Sequence, residues 1–326
     1  MKEIIKVIAK CIFRRDYREE LIRREIKGCI ETVASGDGSG KNKIMILQRG
    51  NTEVGFFSDY IVFLRMIEEA IERNYIPVVD RKTIKNIFFP AGDEINTWEC
   101  FFEQPMKYTL DDIDYCNMDI SINHIPSSVF PVSIMHCQDE AVVQYWRNIA
   151  KRFIRFKPDI LKHLQNNYKD ILGNKRVLGV SVREGYIKLS EGEPQKIAGH
   201  PIQTDITELL AFTEKYLSIW NCDYVYITCQ TIETQLLFEK KFREKTIIYN
   251  RSRCQYCDLP EGSEIIKNKD NYFSFEHELE YVTEMYLLSK CTAFICSENS
   301  GSEAAFIMSE GFEHFICLSR GVYNAY

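Results

Sequence analysis

Long apolar runs are missing from this chain. No stretch of about 18 uncharged apolar residues occurs, and no charged start leads into a clean apolar core of the secretory type. Neither a membrane span nor a signal peptide is indicated, and the expected location is cytoplasmic. Positive charge is also in deficit, since 41 Lys and Arg against 47 Asp and Glu leave a net charge of −6. A general nucleic-acid binder needs a basic face to neutralise phosphates, so that class is excluded. Metal-ligand clusters are equally scarce. Cys254 and Cys257 in RCQYCDLP have zinc-like spacing without two further ligands at comparable spacing. Asp112 and Asp114 in DDIDY have D-x-D spacing but fall in an irregular segment and read as a solvated acidic loop. No metal and no cofactor is expected. The segment SGDGSGKNK fails as a phosphate loop: its spacing is one short, Asn42 replaces the hydroxyl residue, and it precedes the strand KIMIL. It reads as a flexible linker.

Apolar residues make up 45% of the 326 positions, enough for a large core and, at the usual domain size, about two domains. The 12 cysteines are scattered, with Cys229, Cys291, Cys296 and Cys317 inside apolar runs, as suits reduced, packed thiols. Residues 1–30 carry nine Lys or Arg against five Asp or Glu, with Ile5, Ile8 and Ile12 at helical spacing. This basic helix and its linker, residues 1–40, read as an extra helix packed on the body; the same pattern fits peripheral contact with an anionic membrane face or a partner.

From Lys43 onward, short strands alternate with amphipathic helices. KIMIL, a helix over 59–74 and YIPVVD form a βαβ unit, and residues 81–140 read as loops and short helices. VLGVSV, DYVYIT, TIIY, TAFICS and HFICLS are strands separated by helices over 206–220, 231–244, 276–290 and 301–310. Asp205 and Glu208 mark the start of the first of these helices in capping-box spacing. Strict alternation predicts parallel, doubly wound sheets, with ligands at the carboxyl ends of the strands. The domains are expected at 41–170 and 171–326.

Arg183 follows the first strand of the second sheet, where a guanidinium can meet a ligand phosphate or pair with an acid at the sheet rim. Ser297, Asn299, Ser300, Gly301 and Ser302 lie between a buried strand and an apolar helix. That places free N–H groups at a helix start, either for an anion or for simple capping by Ser300.

The series VLGVSVREGY, GHPIQTDITELLAFTEKYL, YVYITCQT and EYVTEMYLLSKCTAFICSENSGSEAAF, over 176–312, resembles the donor-binding half of the fucosyltransferase superfamily. That superfamily includes the α-1,6-fucosyltransferases, the nodulation fucosyltransferase and the protein O-fucosyltransferases. The resemblance implies a GT-B fold, two Rossmann-like domains facing across a cleft, and GDP-fucose as donor. Its H-x-R-R motif falls on Ser181, Val182, Arg183 and Glu184, so the arginine that holds the β-phosphate is kept while the histidine and second arginine are replaced. Glu284 falls where an aspartate binds the guanine edge, and Ser300 where a serine meets the β-phosphate. His200, in the H-P segment, Ser297, Asn299 and Gly301 complete the implied donor site. Both acids of the family's x-A-T-D-D segment are absent from Ile227, Thr228, Cys229, Gln230 and Thr231. For the catalytic base, the resemblance points to the loop after the arginine, where Glu191 and Glu193 are the available acids and Lys188 the nearby cation. The implied activity is metal-independent, inverting transfer from a GDP-sugar to a surface glycan. The departures at Ser181, Glu184 and Gln230 also suit a noncatalytic, nucleotide-sugar-binding scaffold.

Overall fold

The computed structural model describes residues 30–34, 42–50, 54–84, 95–115, 117–125, 133–184, 200–253, 255 and 274–323. Residues 1–29, where the basic helix was expected, lie outside that set, as do Cys254, Cys257, Lys188, Glu191 and Glu193. Contacts divide the chain into two units. One holds Met1–Ile134 and Gln144–Lys157, the other Met135–Val143 and Pro158–Tyr326.

The first unit is built on the expected βαβ element. Strand β2 (Lys43–Arg49), helix α1 (Phe56–Glu72) and strand β3 (Ile76–Val79) follow in sequence, with β2 and β3 parallel. Two further strands fall where none was expected. Strand β1 (Ile30–Ala34), within the segment read as extension and linker, pairs antiparallel with β4 (Asp119–Ile125), and β4 pairs parallel with β2. The sheet order is therefore β1-β4-β2-β3. DISINHI hides its strand because Ser121 and Asn123 are as buried as Ile120, so the usual contrast between an apolar and a polar face is lost. Helix α1 is apolar on most sides, and Phe57, Phe63 and Leu64 pack as fully buried side chains.

Helices α2 (Glu140–Phe153) and α3 (Pro158–Ile171) follow, and α3 goes with the second unit. The second sheet holds β5 (Val177–Ser181), β6 (Tyr224–Thr228), β7 (Thr246–Ile248), β8 (Ala293–Ser297) and β9 (His314–Leu318). All neighbours are parallel, in the order β7-β6-β5-β8-β9. Helices α4 (Ile206–Ile219), α5 (Ile232–Phe242), α6 (Phe275–Leu288) and α7 (Ser300–Met308) complete the alternation. The strands are near-continuous apolar runs because helices cover the sheet; Leu178, Val180, Val225, Ile227 and Ile295 form its core. Gly179 breaks the run in β5 for a steric reason. A Cβ there would lie 2.7 Å from Leu288 Cδ1.

Strand order decides where a ligand can sit. The chain leaves β5 toward β6 and β7 on one side, and leaves β8 toward β9 on the other. The carboxyl ends of β5 and β8 form the topological switch point, at which open parallel sheets leave a crevice.

Candidate functional site

Ser181 ends β5 at that switch point. It is buried, and its Oγ accepts a hydrogen bond from Ser302 Oγ at 3.0 Å. Ser302 is in turn held by Asn299, which caps α7: its Oδ1 accepts the Ser302 N–H at 2.9 Å, and its Nδ2 donates to Ser302 Oγ at 2.8 Å and to the Ser297 carbonyl at 3.1 Å. The cap is Asn299; Ser300, expected in that role, is the first helical residue. Ser297 Oγ accepts the Thr204 N–H at 3.3 Å. Ser181, Ser297 and Asn299 thus stitch the ends of β5 and β8 together. This leaves the N–H groups of Ser300 and Gly301 without a hydrogen-bond partner among the described residues, at the positive end of a helix dipole.

Gly301 is there because Tyr281 is close. A Cβ at 301 would fall 2.5 Å from Tyr281 Oη. Tyr281 also lies within charge range of Arg183 and Arg251, so the α7 terminus and both arginines converge on one phenol. Arg183 itself is half-buried, two residues beyond β5. Burial lowers its pKa, Tyr281 and Glu184 act against that shift, and Arg251 adds to it. It remains a cation. The same arginine lowers the His200 pKa further than burial already does, which leaves a neutral imidazole beside it at pH 7.

Glu184 does not face the crevice as a free charge. Its carboxylate accepts the Gln230 N–H at 2.9 Å, the Thr231 N–H at 3.1 Å and the Thr231 hydroxyl at 3.0 Å, closing the start of α5. Glu284 is committed in a similar way. Placed by the resemblance at the guanine edge, Glu284 is 1% exposed and already engaged on both oxygens, with Arg251 Nη1 at 2.9 Å and Arg253 Nη2 at 2.7 Å. Burial raises its pKa, and the two arginines act against that shift.

Three contributors escaped sequence reasoning. Arg251 and Arg253 follow β7 as Arg183 follows β5, so the same strand-end argument could have found them. Glu278, in the first turn of α6, had no signal of its own among the acids of EHELEYVTEM. It is buried, its Oε2 takes no hydrogen bond among the described residues, and burial drives its pKa up to about 8 with Arg251 opposing. Arg251 and Arg253 close on Glu284, and Arg183 lies within charge range of Tyr281 and Arg251, so guanidinium groups crowd this end of the sheet, an arrangement that suits a bound anion.

The sequence of this chain matches no family model and no curated protein. Its backbone does match solved structures. The NodZ α-1,6-fucosyltransferase co-crystallised with GDP superposes with a TM-score of 0.51 at 12% identity, over 82% of this chain and 93% of that one. The fold is fucosyltransferase-like, of the GT-B class. Two other structures are similar at lower scores. Arabidopsis thaliana FUT1 in complex with GDP gives 0.48 at 10% identity, over 91% of this chain and 74% of that one, and POFUT1 in complex with GDP gives 0.46 at 9%, over 85% and 98%.

Within this fucosyltransferase-like fold, the expected donor residues divide into two groups. Gly301 lies against Tyr281, Arg183 is within charge range of both Tyr281 and His200, and Ser300 precedes Gly301 in the first turn of α7, whereas Ser181, Ser297, Asn299 and Glu284 are occupied by internal hydrogen bonds or ion pairs. Asp112 and Asp114 are local. Asp112 accepts from the Thr109 N–H and hydroxyl, and Asp114 from Asn117 Nδ2. No group of three or more possible metal ligands occurs among the described residues. In the first unit, Arg49 at the end of β2 and Arg81 just past β3 both donate to Asp59 Oδ1, a buried cluster at the carboxyl ends of that sheet too. No described helix is long and apolar enough to cross a membrane.

Proposed function

We propose that the chain is an inverting, metal-independent glycosyltransferase that moves fucose from GDP-fucose to a glycan acceptor in surface polysaccharide or glycoconjugate synthesis. The observation that carries this reading is that Tyr281 lies both against Gly301, in the first turn of α7, and within charge range of Arg183, at the switch point of a five-stranded parallel sheet. Transfer from a sugar nucleotide leaves a diphosphate whose growing negative charge must be neutralised. A guanidinium fork and a helix N-terminus supply that neutralisation without a metal ion. The acceptor hydroxyl attacks the anomeric carbon from the face opposite the diphosphate, and its proton goes to a base. Glu191 and Glu193, with Lys188 nearby, are the acids assigned to that loop, which lies outside the described residues. The enzyme would act on the cytoplasmic side, with the basic segment 1–30 contacting the membrane face or a partner.

A second reading rests on Glu184 and Glu284, which are committed to helix capping and ion pairing where the resemblance implies donor contacts. It makes the chain a noncatalytic, nucleotide-sugar-binding scaffold. Thermal-shift screening of GDP, UDP, ADP and CMP with their sugars tests donor class, because a ligand that binds only the native state raises Tm. Release of GDP from GDP-fucose in excess chelator supports the enzyme. Tight binding with no release of GDP supports the scaffold, and loss of activity in chelator with return on Mg²⁺ or Mn²⁺ overturns metal independence.

A further inference from the structure

Guanine presents two adjacent donors, N1–H and the N2 amine, and a carboxylate that accepts both must have free oxygens. Glu284 has none to spare, since a guanidinium stands on each. Breaking either pair to admit a base would strand a buried arginine. Glu278 lies six residues earlier on the same helix, about 9 Å along its axis at 1.5 Å per residue. Because α6 connects strands of one parallel sheet, its first turn lies at the carboxyl edge, beside the crevice, whereas Glu284 lies deeper along the sheet. Glu278 is 6% exposed, shares charge interactions with Arg251 and Tyr281, and keeps Oε2 without a hydrogen bond among the described residues. A buried oxygen left unpaired in the protein alone is one that a ligand can complete.

The geometry points to Glu278, not Glu284, as the residue that reads the donor's base, its carboxylate accepting the N1–H and N2–H pair of guanine. This rests on the reading of the site as a nucleoside-diphosphate-sugar site. The charged and titratable groups around it are Arg251 from the segment after β7, Tyr281 and His277 on α6, and, beyond them, Arg183, Arg253 and Glu284. Burial and then Arg251 lower the His277 pKa, so it adds no charge at neutral pH. With its pKa near 8, Glu278 is largely protonated at pH 7, and a neutral carboxyl offers one donor and one acceptor instead of two acceptors. Guanine binding therefore displaces the Glu278 proton to solvent, and affinity increases with pH until the group is already ionised.

Titration calorimetry on the full chain between pH 6 and pH 9, with GDP, UDP and inorganic pyrophosphate, tests this. The parent protein should prefer GDP to UDP, release about one proton per GDP at pH 6, and gain up to about tenfold in GDP affinity per pH unit below pH 8, with a plateau above. Glu278→Gln resembles the protonated side chain in shape and hydrogen bonding, so it should fold. It should lose at least about tenfold in GDP affinity together with the pH slope, and keep its pyrophosphate affinity. An unchanged GDP preference in Glu278→Gln, or an equal loss for GDP and UDP, overturns the proposal. If Glu284→Gln instead carries the selective loss, the role returns to Glu284. A parent protein that binds GDP and UDP alike, or neither, fails earlier and removes the donor assignment itself.

Discussion

The carboxylate of Glu184 takes both the backbone N–H and the hydroxyl of Thr231, at 3.1 and 3.0 Å, although 47 positions separate the two residues. Thr231 is the N-cap of α5, so an acid that follows β5 closes a helix that follows β6. Where the superfamily pattern implies a second arginine, this chain has placed an anion against a helix dipole. Glu184→Ala should cost about 0.5–2 kcal/mol, the usual scale of a lost N-terminal cap, and Glu184→Arg more, because it sets a cation against the same dipole. Urea denaturation of the two variants measures this. Equal midpoints for parent and Glu184→Arg would mean that the contact contributes nothing.

Arg183→Lys keeps the charge and loses the two-pronged fork. Sugar transfer should fall at least about tenfold, the scale of one lost charge-assisted hydrogen bond, with little change in Tm since the cation remains. Steady-state rates beside a melting curve separate the two effects. Near-normal turnover would reduce Arg183 to a rim cation.

Gly301 touches the Tyr281 hydroxyl so closely that the added methyl of Gly301→Ala must displace the ring, or α7, from the arginines. The expected loss is about 1–3 kcal/mol, typical of overpacking, together with weaker pyrophosphate binding. Tyr281→Phe removes the atom that an alanine Cβ would meet at 2.5 Å, so Gly301→Ala should cost much less in that background. A double-mutant cycle read by denaturant midpoint checks it, and full additivity would refute the contact as the cause.

Glu278 also predicts a pH dependence of stability. Its folded pKa of about 8 lies above the unfolded 4.5, so between those values the folded state holds a proton that the unfolded state has lost. Stability then falls as pH rises through that window, by a few kcal/mol when the whole shift has been traversed. Glu278→Gln removes the titration, so its Tm advantage over the parent should be small at pH 5 and grow toward pH 8. A gap that stays constant with pH would show that the carboxyl titrates normally.

Much of the second unit was legible from composition along the chain. VLGVSV, DYVYIT, TAFICS and HFICLS are β-branched or aromatic runs of strand length, and covered parallel strands need no polar face to mark them. Asp205 announced α4 because a cap is a local hydrogen bond, here from the Thr207 N–H to Asp205 Oδ1 at 2.8 Å. Arg183 was legible because a charge directly after a buried run must stand at a sheet end. By the same reasoning Arg251 and Arg253 were there to be found after TIIY. Strand β4 was not, since its buried Ser121 and Asn123 imitate a loop, and β1 became a strand through pairing with β4.

Local sequence settled the strands, the helix starts and the arginine at the switch point, because propensity, apolar runs and capping act over a few neighbouring residues. It could not rank the acids of EHELEYVTEM. Glu278 and Glu284 share one helix and one side-chain chemistry, and they differ only in depth along the sheet and in what comes to meet them. Arg251 and Arg253 arrive from the end of β7, more than thirty positions away, and neutralise Glu284; Glu278 keeps an oxygen free. Ser181 meets Ser302 across 121 positions in the same way. Such pairings depend on strand order, and strand order follows from how several apolar faces cover one another at once, which no short stretch of the chain encodes.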